Sequence, residues 1–157
     1  MSEVHLNLIA GQWVGADDIS ENRNPSDPFD LIGLYASGSP EDVARAAASG
    51  FAAQSAWFNG GPQPRADVLD KIAALIEARA VEIGTMLARE EGKILPESIA
   101  ETRRAAQIFR FYAGEALRMS GEALASVRPN VDIEILRAPL GVVGLITPWN
   151  FPIAIPA

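Results

Sequence analysis

A chain of 157 residues with 48% hydrophobic residues has enough apolar material for a packed core. Its net charge of −7 speaks against nucleic acid or anionic membrane as a partner. It has no cysteine, which excludes disulfides, thiolate metal sites and a thiol nucleophile within these residues. The apolar stretches are too short to span a bilayer, and Met1–Leu6 lacks the basic and apolar regions of a signal peptide, so a soluble, cytoplasmic protein is expected.

In chain order, Val4–Ile9 and Gln12–Val14 read as short strands around an Ala10-Gly11 hairpin turn. His5, the sole histidine, is expected to be a solvated strand residue, so neither a Ser-His-Asp triad nor a His/Cys metal cluster is expected. Asn22–Asp30, rich in Pro, Asn, Ser and Asp, reads as a loop, and Leu31–Ala36 as a third strand. Ser39-Pro40-Glu41-Asp42 combines a cap, a first-turn proline and two acids, and so starts a helix that Asn59–Pro62 ends. Its periodic face runs through Val43, Ala46, Ala47, Gly50, Phe51, Gln54 and Trp57. A second helix is expected from about Arg65 to Glu90, buried along Val68, Leu69, Ile72, Leu75, Ile76, Ile83, Met86 and Leu87, with Gly92 as its stop. Pro96 opens a third, with a stripe at Ile99, Thr102, Ala106, Phe109, Ala113 and Ala116, closed by Gly121. Gly92-Lys93 lacks the following Ser or Thr of a phosphate loop and reads as a C-cap, with the helix acids on solvated faces.

Toward the end, Val131–Arg137 alternates apolar and polar residues apart from Leu136, the pattern of a strand with one buried face. Val142–Ile146 is a short apolar run bounded by Gly141 and Pro148, which reads as a strand buried on both faces of a parallel sheet. Ligands bind beyond the carboxyl ends of such strands, where Thr147-Pro148-Trp149-Asn150 follows.

The segment Pro139, Gly141-Val142-Val143-Gly144, Ile146 and Pro148-Trp149-Asn150-Phe151-Pro152 resembles the aldehyde dehydrogenase superfamily. The likeness extends over Ile9–Val14, Asn24-Pro25, Glu90-Glu91-Gly92-Lys93 and Ala100-Glu101, and so over essentially the whole chain. It implies an α/β fold, the incomplete amino-terminal part of a Rossmann-type NAD(P)-binding domain with long amphipathic helices and a β arm. Residues 1–121 and 138–157 would belong to that domain, and 122–137 to an arm bridging subunits. Asn24–Asp27 with Gln12–Val14 is similar to the branch acting on α-ketoglutarate semialdehyde and other carboxylated semialdehydes.

For Asn150 the residues leave two readings open, a cap for a helix starting at Pro152 or a donor to a reacting oxygen. The resemblance implies the second, a side-chain amide that meets the oxyanion of the aldehyde during thiolate attack. It likewise implies that Ile146, Thr147, Pro148 and Trp149 border the nicotinamide of NAD or NADP, and that Phe151 faces the aldehyde tunnel, where packing alone would be the structural alternative. The chain contains no Gly-x-Gly-x-x-Gly. By resemblance, the cofactor-binding glycines, the ribose-binding Lys and Glu, the general-base Glu and the nucleophilic Cys would all lie past residue 157. The expectation is thus part of an aldehyde-oxidising, NAD(P)-dependent enzyme, homo-oligomeric at full length, with this chain alone inactive. The rival expectation is a non-catalytic chain acting as an assembly partner.

Overall fold

The computed structural model describes residues 4–157; residues 1–3, part of the stretch read against a signal peptide, lie outside the described residues. Sheet and helix are mixed. Strands β1 (Val4–His5), β2 (Asn7–Ile9), β3 (Gln12–Val14), β4 (Ile19–Asn24) and β5 (Asp27–Ala36) precede helices α1 (Pro40–Asn59), α2 (Pro62–Ala78), α3 (Ala80–Glu91) and α4 (Leu95–Ala116). Strands β6 (Glu122–Ala125) and β7 (Asp132–Ile135) follow.

The β2–β3 hairpin turns at Ala10-Gly11, both at positive φ. In the second sheet β5 is central, with β1 parallel on one side (Val4 opposite Leu34) and β4 antiparallel on the other. The expected loop over Asn22–Asp30 is therefore mostly strand. Its register slips instead, because Arg23 pairs with Leu31 and Asn24 with Asp27. Pro28, which has no N–H to give a ladder, sits in the unmatched stretch between those pairs. The turn is locked by the Ser26 N–H donating to Asn24 Oδ1 at 2.9 Å.

Helix α1 starts as expected. Ser39 Oγ accepts from the Asp42 N–H at 3.1 Å while Asp42 accepts from the Ser39 N–H at 3.0 Å, a reciprocal capping box. Its apolar face, however, is not buried. No residue of α1 is, and Val43 and Phe51 are exposed; β2 and the Gly141-Val142 segment lie near the helix, and Arg65 of α2 donates to the Trp57 and Phe58 carbonyls at its end.

The single helix expected from Arg65 to Glu90 is two, parted at Arg79 (φ −107°, ψ 16°). No glycine or proline marks the break. What it achieves is tertiary, since α2 and α3 both pack along α4. The core between these helices is built from small side chains, Ala66, Ala73, Ala80, Gly84, Ala105, Ala106 and Ala113, with Leu87. Val68, Leu75 and Met86, expected inside, are exposed, because close helix approach selects small residues for the interface and turns larger ones outward.

Two further expectations are corrected. The β6–β7 hairpin (Leu124 opposite Ile133) has both faces exposed rather than one, since no other element among the described residues packs closely behind it. Val142–Ile146 forms no strand, and Leu145 and Ile146 project into solvent. A doubly buried strand needs neighbours on either side, and the described residues offer it none. Among the described residues no helix is long and apolar enough to cross a membrane.

Candidate functional site

Gly92 ends α3 in the left-handed conformation (φ 75°), its N–H donating to the Ala88 carbonyl at 2.9 Å. The chain reverses there and sends Lys93 back toward α4 rather than leaving it at the helix end. The Lys93 ammonium donates to Glu101 Oε2 at 2.8 Å and to the backbone carbonyl of Asn150 at 2.8 Å, and lies 3.1 Å from Glu91 Oε2. An ammonium has three protons, and three oxygens surround this one. It also lies 4.5 Å from the centre of the Phe151 ring, within cation–π range.

Glu101, on the inner face of α4, is 5% exposed. Its second oxygen accepts the N–H groups of Ile153 at 3.1 Å and Ala154 at 3.3 Å. The reading of the helix acids as solvated faces is thus corrected at Glu101 and at Glu91, whose side chain is 10% exposed. A carboxylate tolerates such burial when its charge and lone pairs are met, as they are at Glu101, whereas Glu91 Oε2 faces the Lys93 charge but takes no hydrogen bond among the described residues. Burial pushes the Lys93 pKa down, but the hydrogen bond and charge of Glu101, joined by Glu91, outweigh it, and the group lies above the ordinary lysine value.

These contacts line an open cavity of about 630 Å3, bordered by Glu97, Ala100, Arg104, Asn150, Phe151 and Ala154 among others. A second depression of about 770 Å3 shares Arg104 and Ala154 and continues along Ile108, Phe111 and Ile155. Arg104 lines both and hydrogen-bonds Gln107 at 3.3 Å; it has no carboxylate partner among the described residues.

The sequence-derived residues divide in two. Asn150 and Phe151 meet at the Lys93–Glu101 node, where Asn150 contributes its carbonyl, and its side-chain amide makes no hydrogen bond among the described residues. Among the described residues 152–156 are turn, with the Ile155 N–H donating to the Phe151 carbonyl at 3.1 Å. Ile146, Thr147, Pro148 and Trp149 line neither depression and are exposed, Trp149 at 80%. Lys93 and Glu101 were missed as a pair. Both stand in stretches that carry the family likeness, but nothing in their spacing says that they meet. Among the described residues no group of three or more His, Cys, Asp or Glu could hold a metal ion.

The sequence profile of the aldehyde dehydrogenase family matches residues 13–157. The alpha-ketoglutaric semialdehyde dehydrogenase of Bacillus subtilis (strain 168) is 41% identical over 154 residues, covering 97% of this chain and 32% of the relative. The alpha-ketoglutarate semialdehyde dehydrogenase of Haloferax volcanii is 33% identical, covering 100% of this chain and 33% of the relative. A crystal structure of the NADP-dependent glyceraldehyde-3-phosphate dehydrogenase of Bacillus halodurans C-125, complexed with NADP, shares the fold with a TM-score of 0.89 at 31% identity, covering 96% of this chain and 33% of that one. This chain spans about a third of the length of the relatives it matches. With the profile running unbroken from Trp13 to Ala157 and the same fold in a solved dehydrogenase, the chain belongs to the aldehyde dehydrogenase family.

Proposed function

We propose that this chain is part of an NAD(P)-dependent aldehyde dehydrogenase that oxidises a carboxylated semialdehyde to the acid, with Asn150 as the oxyanion donor. The observation that carries the reading is an Asn150 that lines the cavity with its backbone held and its amide uncommitted. When a nucleophile adds to an aldehyde carbonyl, the oxygen gains negative charge. A donor already fixed at that point lowers the barrier by about 3 kcal/mol. The nucleophile must come from outside these residues, since they include no cysteine, and the chain by itself is expected to be inactive.

The residues present fit one wall of a nicotinamide site. Backbone and side chains over Ile146–Trp149 are open, and the Trp149 indole presents a flat, uncovered ring. NAD or NADP, when bound, supplies the acceptor for the aldehyde hydride. Ile146, Thr147, Pro148 and Trp149 would border the ring and exclude water from that side. Phe151, packed on the Lys93 ammonium, would face the aldehyde. The substrate class is supported by the two semialdehyde-oxidising relatives and by Arg104, whose guanidinium lacks a carboxylate partner where the depressions meet. We further assign residues 1–121 and 138–157 to the nucleotide-binding domain. The β6–β7 hairpin, within 122–137, is assigned to a subunit-bridging arm in a homo-oligomer, a role suited to a two-stranded element exposed on both faces.

The test is a chimera in which these residues replace the matching third of the Bacillus subtilis relative. Formation of NADH or NADPH from α-ketoglutarate semialdehyde is expected, and Asn150→Ala should lower kcat by about 100- to 1000-fold. An active chimera indifferent to Asn150→Ala would refute the assignment.

A further inference from the structure

We infer that Lys93 and Glu101 are positioning residues that clamp the Asn150 turn from both ends and so fix where its side-chain amide points. The inference rests on the reading of Asn150 as the oxyanion donor, but the clamp has its own geometry and its own test.

The turn from Asn150 to Ala154 belongs to no helix or sheet, so its backbone groups need partners from elsewhere. Lys93 takes the carbonyl at its start, 57 residues away in sequence. Glu101 takes two N–H groups at its end, 52 and 53 residues away. The two clamping side chains are joined to each other at 2.8 Å, so the start and the end of the turn are tied through one ion pair. That pair is itself anchored on rigid structure. Glu101 projects from the second turn of α4, and Lys93 follows the fixed left-handed stop at Gly92. Against Gly92 in turn lie Pro25 and Ser26 of the β4–β5 turn.

A purely structural ion pair would not need this arrangement. Glu101 could meet Lys93 with both oxygens, yet one is spent on the turn. Lys93 could stop at its two carboxylates, yet it reaches the Asn150 carbonyl. The consequence is selective. The backbone from the Asn150 carbonyl to Ala154 is held, while the Asn150 side chain has no hydrogen-bond partner among the described residues to draw it away from the cavity. A hydrogen-bond donor acting on a transient oxyanion needs that state, because misplacement by about 1 Å costs on the order of 100-fold in rate.

Two measurements decide the matter. In the chimera, Lys93→Met and Glu101→Gln are expected to lower kcat by about 10- to 100-fold with KM for NAD(P) unmoved, and Lys93→Arg to recover most of the loss. If the residues act through Asn150, Lys93→Met on an Asn150→Ala background should cost less than about 2-fold. Equal losses on both backgrounds would overturn the clamp and leave a general structural role. In the 157-residue chain, amide exchange at Ile153 and Ala154 should quicken at least about 10-fold in Glu101→Leu, which leaves those N–H groups no acceptor, while the α2 amides stay protected. Unchanged exchange at those two amides would also overturn it. A chimera slowed by neither Asn150→Ala nor Lys93→Met sinks the oxyanion reading, whereas one slowed by Asn150→Ala alone sinks only the clamp.

Discussion

Gly84 of α3 meets Ile99 of α4 backbone to backbone: a Cβ on Gly84 would lie 2.8 Å from the Ile99 Cα and 2.9 Å from its nitrogen. Nothing at those atoms can swing aside. Alanine would raise helix propensity by about 1 kcal/mol, but the clash must push the helices apart, and overpacking costs about 1–3 kcal/mol. Gly84→Ala is therefore expected to destabilise by up to about 2 kcal/mol net. Urea unfolding of the two proteins side by side measures it, and a more stable variant would show that the interface gives way.

Asp30 and Arg89 join β5 to α3 at some distance from the candidate site. Two guanidinium nitrogens meet the two carboxylate oxygens, and Asn24 donates a third hydrogen bond at 3.1 Å. The Arg89 hydrogen bond above all, then Asn24, holds the Asp30 pKa at about 2 against the usual 3.8. Because the folded value is the lower one, the contribution is present above about pH 4 and is lost as the pH falls toward 2. The pair is partly solvated, so salt weakens it. Thermal melts of the wild type and Arg89→Met should differ at neutral pH and converge toward pH 2. Parallel curves throughout would remove the pair from the account of stability.

Lys93 behaves oppositely with pH. Its folded pKa is raised above 10.5, so the stabilisation is complete below that value and is lost only as the pH climbs past it. Lys93→Met should be the costlier change at neutral pH, because it strands Glu101 and Glu91, with side chains 2% and 10% exposed, without their cation. Removing one partner of a buried pair costs about 3–5 kcal/mol. Adding Glu101→Gln to Lys93→Met should recover part of that loss, since the stranded charge is gone while an oxygen remains for the Ile153 and Ala154 N–H groups. A double variant as unstable as the sum of the two singles would contradict this, and chemical denaturation reads it directly.

Arg104 offers the sharpest test of substrate class. In the active chimera, Arg104→Leu is expected to raise KM for a carboxylated semialdehyde by about 10- to 100-fold, the worth of a charge-assisted hydrogen bond. It should leave KM for an uncharged aldehyde of similar length nearly unchanged. Equal effects on both substrates would assign Arg104 to packing.

Much of the local structure could be read from single short stretches. Ser39 with Asp42 set the start of α1, Gly92 the end of α3, and Ala10-Gly11 the first hairpin turn, because each depends on neighbours within a few residues. The matched positions from Pro139 to Pro152 carried the family likeness, and Asn150 and Phe151 do lie at the cavity. The remainder depended on what each segment met. Periodicity over Arg65–Glu90 could not place the break at Arg79, which serves packing against α4, nor show that alanines rather than Val68 and Leu75 would line the interface. Apolar character at Val142–Ile146 could not make a strand, since a strand's hydrogen bonds belong to its neighbours. Least visible of all was Glu101. On a helical wheel it is one acid among several, and only the folded chain brings it a cation from the α3–α4 turn and two N–H groups from beyond Asn150. The sequence by itself determined the caps, the turns and the family; the tertiary structure decided which charges are buried and what they hold, because a buried charge is set by partners distant in sequence.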